Sequence, residues 1–393
     1  MSYMRMMSRP MFTLALALGL LAGPMAGQAK KDYFAYIGAY TNVGTSKGIC
    51  AFRWSGDTGK LTPIGLVAAT SNPGFLAVHP NHRFLYAVGE ISQYEGQPTG
   101  LVLAYAIDPK TGKLTFLNQV VSRGAGPCHV AVDKTGRLAI VANYNSGSVT
   151  AIRIGGDGKL GEVTAFVQHS GSSVNPRRQA GPHAHGVFFS PDNRFVVVPD
   201  LGLDKLLVYR PDLNKGTLEA ADPPFVSVKP GAGPRHFAFH PSGRFGYAVD
   251  ELDSTVTAFH YDQTRGVLRP FETASILPPD FHGVNGSAEI EADRKGKFLY
   301  ASNRGADIIA VFAIGADGSL KLVEHVPTQG KTPRNFAIDP TGSYLLAANQ
   351  DSNNVVVFRR DQTTGRLTPA GQQVEVGAPV CVVFVPVSER TQP

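Results

Sequence analysis

The chain has 393 residues, 43% of them apolar and 17% charged, with 43 Gly, 28 Pro and three Cys. That apolar share excludes extended disorder, and three cysteines without short paired spacing exclude a disulfide framework or a zinc cluster. The net charge of +6 comes from basic residues scattered singly, which excludes the basic blocks of a nucleic-acid surface.

Arg5 and Arg9 precede an apolar stretch from Met11 to Ala22, followed by Gly23, Pro24 and the small-x-small triplet Gly27-Gln28-Ala29. A basic, then apolar, then small layout is that of a secretory signal peptide. The apolar run is shorter than the ~20 residues that span a bilayer, so an anchor is disfavoured. The expectation is a signal peptide over residues 1–29, a mature chain from Lys30 and a periplasmic or secreted location. Loss of Arg5 and Arg9 takes the charge from +6 to +4.

From Tyr33 onward the chain repeats itself. A Gly/Pro-rich approach, an apolar strand, a turn and a second strand recur at Asn72–Glu90, Gly126–Tyr144, Gly181–Asp200, Gly233–Glu251, Asn285–Arg304 and Thr332–Gln350. The turn residues Pro80, Lys134, Pro191, Pro241, Arg294 and Pro340 lie 46 to 57 residues apart. Several strands per period of about 50 residues signal a propeller. A second marker, Gly followed two residues later by Leu, recurs seven times, at Leu61, Leu114, Leu160, Leu218, Leu268, Leu320 and Leu367. Six copies of one marker and seven of the other imply a split unit. Ala378–Pro386 reads as its first strand, and Tyr33–Thr41 as its second. The predicted fold is all-β: one seven-bladed β-propeller over residues 30–393, its last blade closed by a C-terminal strand A with N-terminal strands. Closure removes the open sheet edge.

In such a blade, strand A lies at the channel and strands B, C and D follow outward. The loops approaching A and joining B to C share one face, around the channel mouth. On that face the sequence places His129, His183, His185, Arg235, His236, His282 and Arg334 near strand A. At the end of strand B it places Asn143, Asp200, Glu251, Arg304 and Asn349. Arg83, Arg137, Arg194 and Arg244, with His79 and His240, fall at the opposite A–B turns and read as turn and surface residues. His183 and His185, at i and i+2 on an extended segment, share a side as a metal pair would. No spacing supplies a third ligand, so no metal or cofactor is expected. Glu251 reads either as an ion-pair partner of Arg235 or as a base beside guanidiniums that hold an anion. Arg235 and Arg304 suit carboxylate or phosphate through their planar forks. Glu289 and Glu291 alternate on a strand, face one side and read as channel acids of structural use. Cys50 and Cys381 read as packing residues, whereas Cys128 precedes a strand, where a thiol can be exposed.

Gly231-Ala-Gly-Pro-Arg-His236, Asp250-Glu-Leu252 and Tyr300-Ala-Ser-Asn-Arg304 resemble the propeller-type bacterial 6-phosphogluconolactonases, a family that includes the fungal carboxymuconate-lactonizing enzymes. The resemblance covers residues 33 to 386. It implies metal-free lactone chemistry at the channel mouth, with functional His, Arg, Glu and Arg at His185, Arg235, Glu251 and Arg304. The expected catalytic set is His185, Glu251 and Arg235, with Glu251, aided by His185, taking a proton from the attacking water. Arg235 or His185 stabilises the oxyanion. The expected substrate-binding set is Arg304, Arg334, His183, His129 and His236. The partner is a small-molecule lactone, with no nucleic acid, no membrane after signal removal, and a monomeric chain. A carboxymuconate-type cyclase and a non-catalytic binding propeller are the alternatives, the latter requiring a plugged channel mouth.

Overall fold

The computed structural model describes residues 32–388, together with Met1 and Ser2. The expected signal peptide falls almost wholly outside the described residues. Among the described residues no helix is long and apolar enough to cross a membrane.

Twenty-eight strands form seven four-stranded antiparallel sheets. Blade 1 is the split one: Pro379–Pro386 pairs with Asp32–Ala39, which pairs with Gly48–Ser55 and so on to Lys60–Ala69. The chain ends therefore close the ring as their sequence implies. Blades 2 to 7 follow in order, their first strands being Leu76–Val78, Pro127–Val132, Phe188–Phe189, Pro234–Phe239, Gly286–Ala292 and Pro333–Ile338.

Each seam between neighbouring blades holds its own apolar cluster. Trp54 packs edge-on against Tyr344 at the seam of blades 7 and 1, and Phe195 and Phe237 occupy that of blades 4 and 5. The Gly-x-Leu marker is explained at these seams. Gly158 has a φ of +81°, and a Cβ there would lie 2.3 Å from the Phe84 ring of the preceding blade, so only glycine fits. Its carbonyl accepts the Tyr86 hydroxyl at 3.0 Å, as Gly318 accepts Tyr247 across the seam of blades 5 and 6. Two residues later the marker leucine's backbone is clasped by strand D of the blade before. Asn118 bonds both N and O of Leu160, and Gln372 both N and O of Leu61. Each such bond contributes about 1 kcal/mol.

His79 and His240 are seam staples rather than free surface groups. Their Nε2 atoms reach the carbonyls of Gly136 and Gly296 in the next blade at 3.0 and 2.9 Å. His79 is accordingly buried, because its ring fills the space beside a turn glycine.

Candidate active site at the channel mouth

Strand A carries a register shift at the same place in three blades, between Pro127 and His129, Pro234 and His236, and Pro333 and Asn335. A bulge re-aims the residue it frees. The freed residues are Cys128, Arg235 and Arg334, and two of the three are guanidiniums set around one channel. Cys128 is buried, contrary to the exposed position its sequence allows. The bulge turns its Sγ inward to bond the His185 carbonyl at 3.3 Å, and burial pushes its pKa up.

Glu251 follows strand B of blade 5 (Phe245–Asp250), and its N–H bonds the Gly233 carbonyl at 2.7 Å. Its carboxylate is gripped from three directions. Oε1 accepts Arg178 Nη2 at 2.6 Å, while Oε2 meets Arg304 Nη2 at 2.9 Å and Arg235 Nε at 3.2 Å. The Arg235 N–H points off that line and has no hydrogen-bond partner. Arg235 Nη1 donates to the Ala288 carbonyl at 2.6 Å, and Arg304 is fixed by the carbonyls of Gly286 and Ser287. Burial alone would raise the Glu251 pKa, but Arg304, Arg235 and Arg178 overcome it and hold the group at about 2. Glu251 is thus a permanent anion and a weak base. Arg235 is lowered to about 10 by burial and by Arg334 and Arg304, and so stays charged at neutral pH.

Arg334 differs from the other three. Its guanidinium lies 5.2 Å over the Tyr40 ring, and among the described residues it makes no ion pair or hydrogen bond. Although burial opposes its charge, Tyr40, Glu90 and Glu251 favour it, and its pKa rises. Glu90 receives the Tyr40 hydroxyl at 2.9 Å.

The histidines divide. His185 is 5% exposed, and its ring stands 5.2 Å from that of Tyr144 and 5.3 Å from that of His236. Burial, Arg235 and His236 all disfavour its protonation, so the imidazole is neutral. His183 is half-buried and stacks on the outer face of Tyr144 at 4.5 Å, with its backbone N–H tied to Asp200 Oδ1. His236 and His129 lie in the channel wall. His236 Nδ1–H donates to Glu289 Oε1 at 3.0 Å, and His129 stacks on Phe75 at 3.9 Å. Both are buried, as are Arg235 and Glu251. Among the described residues no group of three or more His, Cys, Asp or Glu side chains is arranged to hold a metal ion.

A cleft of about 380 Å³ opens over this cluster, lined by Arg178, Glu251, Val284, Asn285, Arg304 and Thr332. Arg178 escapes the sequence reading because it belongs to the long connection between blades 3 and 4, outside the repeat. That connection is tied down by Gln179, whose amide donates to Leu201 O and Asp204 Oδ1. Asp204 also accepts the N–H groups of Gly231 and Gly233, so one carboxylate fixes the approaches to both Arg178 and Arg235. Tyr144, which accepts Arg178 at 3.2 Å, ends its repeat unit in blade 3 where Glu251 ends it in blade 5, its N–H bonding the Gly126 carbonyl as that of Glu251 bonds Gly233. Glu90 holds that place in blade 2.

The described residues thus form a closed ring of seven blades, with three guanidiniums gathered on Glu251 at the channel mouth. The chain belongs to the family described as lactonase, 7-bladed beta-propeller, whose model matches residues 34–384. It is 40% identical over 354 residues to a 6-phosphogluconolactonase of Bacillus subtilis, covering 90% of this chain and 98% of that one. Among solved structures, the periplasmic gluconolactonase of Pseudomonas aeruginosa superposes with a TM-score of 0.84 at 38% identity, covering 91% and 100% of the two chains. A putative 6-phosphogluconolactonase of Bacteroides fragilis gives 0.84 at 35% identity, covering 92% and 100%.

Proposed function

We propose that this member of the lactonase family hydrolyses a sugar-type lactone carrying a negative group, outside the cytoplasm and without a metal. The observation that carries the reading is the unpaired Arg334. Three arginines converge on Glu251, while the fourth faces the mouth with its charge uncompensated by any ion pair among the described residues. A phosphate or carboxylate on the substrate supplies the missing partner through two parallel hydrogen bonds.

In this reading Glu251 is the anion that keeps Arg178, Arg235 and Arg304 together against their mutual repulsion. Its low pKa removes the basicity that the role of water activator requires. Arg304 and Arg334 hold the substrate's charge, and Arg235 meets the oxygen of the tetrahedral intermediate. His185, neutral in its apolar surroundings, shapes the floor beneath the ring together with Tyr144, and His183 borders the rim. The apparent export signal and the likeness to a periplasmic gluconolactonase support the extracytoplasmic location.

The test is steady-state hydrolysis by the mature chain of glucono-δ-lactone and its 6-phosphate, with and without chelator. The expected result is chelator-resistant turnover with a KM at least about tenfold lower for the phosphorylated lactone, a preference lost in Arg334→Ala. Equal KM for the two lactones would overturn the anionic assignment. Turnover abolished by chelator would overturn the metal-free one.

A further inference from the structure

The repeat sets a second glutamate at the mouth, in the position that Glu251 occupies. Tyr86-Ala-Val-Gly-Glu90 closes strand B of blade 2 as Tyr247-Ala-Val-Asp-Glu251 closes it in blade 5. Both backbones turn back alike: Glu90 N–H bonds the Asn72 carbonyl at 2.9 Å, as Glu251 N–H bonds that of Gly233 at 2.7 Å. The side chains meet opposite surroundings. Glu251 is held by three guanidiniums, whereas Glu90 makes no ion pair within 4 Å among the described residues. Its Oε2 takes the Tyr40 hydroxyl at 2.9 Å, and its Oε1 accepts no hydrogen bond among the described residues. The carboxylate lies against Gly74, where a Cβ would come within 2.2 Å of Oε2, so the glycine keeps the space that the group fills. The unpaired Arg334 stands over Tyr40, the hydroxyl donor to Glu90.

We infer that Glu90 is the proton-transfer residue of lactone hydrolysis, with Tyr40 orienting it. The inference rests on the lactonase reading. As the oxygen of water bonds to the lactone carbonyl carbon, its proton passes to the Glu90 carboxylate. The carbonyl oxygen becomes an oxyanion facing Arg235. When the bond from that carbon to the ring oxygen breaks, the Glu90 carboxyl returns the proton to the departing oxygen. One water is consumed, one C–O bond forms and one breaks, and the product is a hydroxy acid.

The ionisation of the group fits the task. Burial raises the Glu90 pKa above its ordinary value, while Arg334, Tyr40 and Arg235 restrain the rise; the buried Cys128 thiol is the remaining titratable neighbour. A raised carboxylate opposite a lowered one is how a site divides acid–base work from charge stabilisation. The other two polar groups in reach, Glu251 and His185, are both shifted toward weaker basicity.

The experiment is the pH dependence of kcat and kcat/KM for glucono-δ-lactone and its 6-phosphate, in the full mature chain and in Glu90→Gln, Glu90→Asp and Tyr40→Phe. In the unmodified chain, activity should fall on the acid side with a midpoint above that of an ordinary glutamate. Glu90→Gln should lower kcat by about 10²- to 10⁴-fold and abolish that acid limb. Glu90→Asp should restore part of the rate together with the limb. Tyr40→Phe, which removes a donor favouring the anion, should move the limb to higher pH. Glu90→Gln within threefold of the unmodified kcat and with its acid limb intact overturns the inference. If that variant does not fold, an unmoved limb in Tyr40→Phe overturns it instead. An unmodified chain that hydrolyses neither lactone overturns the lactonase reading itself, a separate result.

Discussion

The two ends of the central channel hold the same residue type in opposite states. At the mouth, Glu251 is surrounded by Arg178, Arg235 and Arg304 and is held at about 2. At the far end, Glu291 lines a cavity of about 320 Å³ with Phe75, Asn335 and Phe384 and is pushed up to about 8, chiefly by burial. Between them runs one buried chain of polar contacts. Arg235 Nη1 approaches His236 Nε2 at 3.5 Å, and His236 Nδ1–H donates to Glu289 Oε1. Asn335 donates to Glu289 Oε2 at 2.5 Å and accepts the Val382 N–H at 2.9 Å, tying the chain to the C-terminal strand that closes the ring. The difference teaches that the propeller gathers guanidiniums at one end of the channel and leaves buried carboxyls with raised pKa values toward the other. A channel with both ends charged would bury far more unpaired charge than its walls satisfy.

The comparison breaks first at Arg235, the residue where the two ends meet. Arg235→Ala removes a donor to the developing oxyanion and one of the three partners of Glu251. A loss of about 10²- to 10³-fold in kcat is expected on the preferred lactone, as for loss of one oxyanion donor. Arg235→Lys keeps the charge without the planar fork and should recover only part of it. Kinetics on folded protein, checked by thermal melting, measures this; a kcat unchanged in Arg235→Ala would place the oxyanion elsewhere.

Glu251→Gln tests the mouth as a charge cluster. The folded pKa of about 2 lies below the ordinary 4.5, so ionised Glu251 stabilises the fold above that ordinary value and loses the contribution as pH falls toward 2. The size is about 3 kcal/mol at neutral pH. The variant should therefore be less stable than the parent by that amount at pH 7 in denaturant titration, with the gap shrinking steadily below pH about 4. An equal gap at pH 7 and pH 3 would show that lost packing, not the ion pairs, sets the cost.

How much of this was legible in the sequence follows from what repeats. The seven Gly-x-Leu markers reveal the ring because each glycine is packed against a side chain of the preceding blade, an aromatic ring at six of them and Thr164 at Gly216, where a Cβ would clash. The split blade was legible for the same reason. Arg235, Glu251, Arg304 and Arg334 came from their positions in the repeat; Arg235 and Arg304 meet at Glu251, and Glu251 and Arg304 line the cleft. What stayed hidden is what depends on several blades at once. The ionisation of Glu251 is fixed by guanidiniums from the blade 3–4 connection and from blades 5 and 6, and one of them, Arg178, sits in no repeat. His129 and His236 follow the residues that the strand A bulges free, and they stack on Phe75 and bond Glu289 in the channel wall. Glu90 was visible as the counterpart of Glu251, but its position says nothing of its contrasting surroundings, which come from Tyr40 and Gly74 of neighbouring segments.

The smallest effect sharpens the far end. Glu291 accepts the Ile338 N–H at 2.9 Å; burial and Glu289 raise its pKa, while Arg294 and Arg360 restrain the rise. Its folded pKa of about 8 lies above the ordinary 4.5, so the folded protein keeps a proton that the unfolded chain releases. Between those two values stability must fall as pH rises. Glu291→Gln mimics the protonated form at every pH and removes the charge that burial opposes. The variant should match the parent at pH 4.5 and exceed it at pH 8 by on the order of 1–2 kcal/mol, a figure discounted because the side chain is partly open to the far cavity. Thermal melting across that range checks it, and catalysis at the mouth should stay within about twofold, since no step of the reaction uses this carboxyl. A variant less stable than the parent at pH 8 would mean that Glu291 works there as an anion, paired with Arg294 at the channel rim, and that the far end is charged after all.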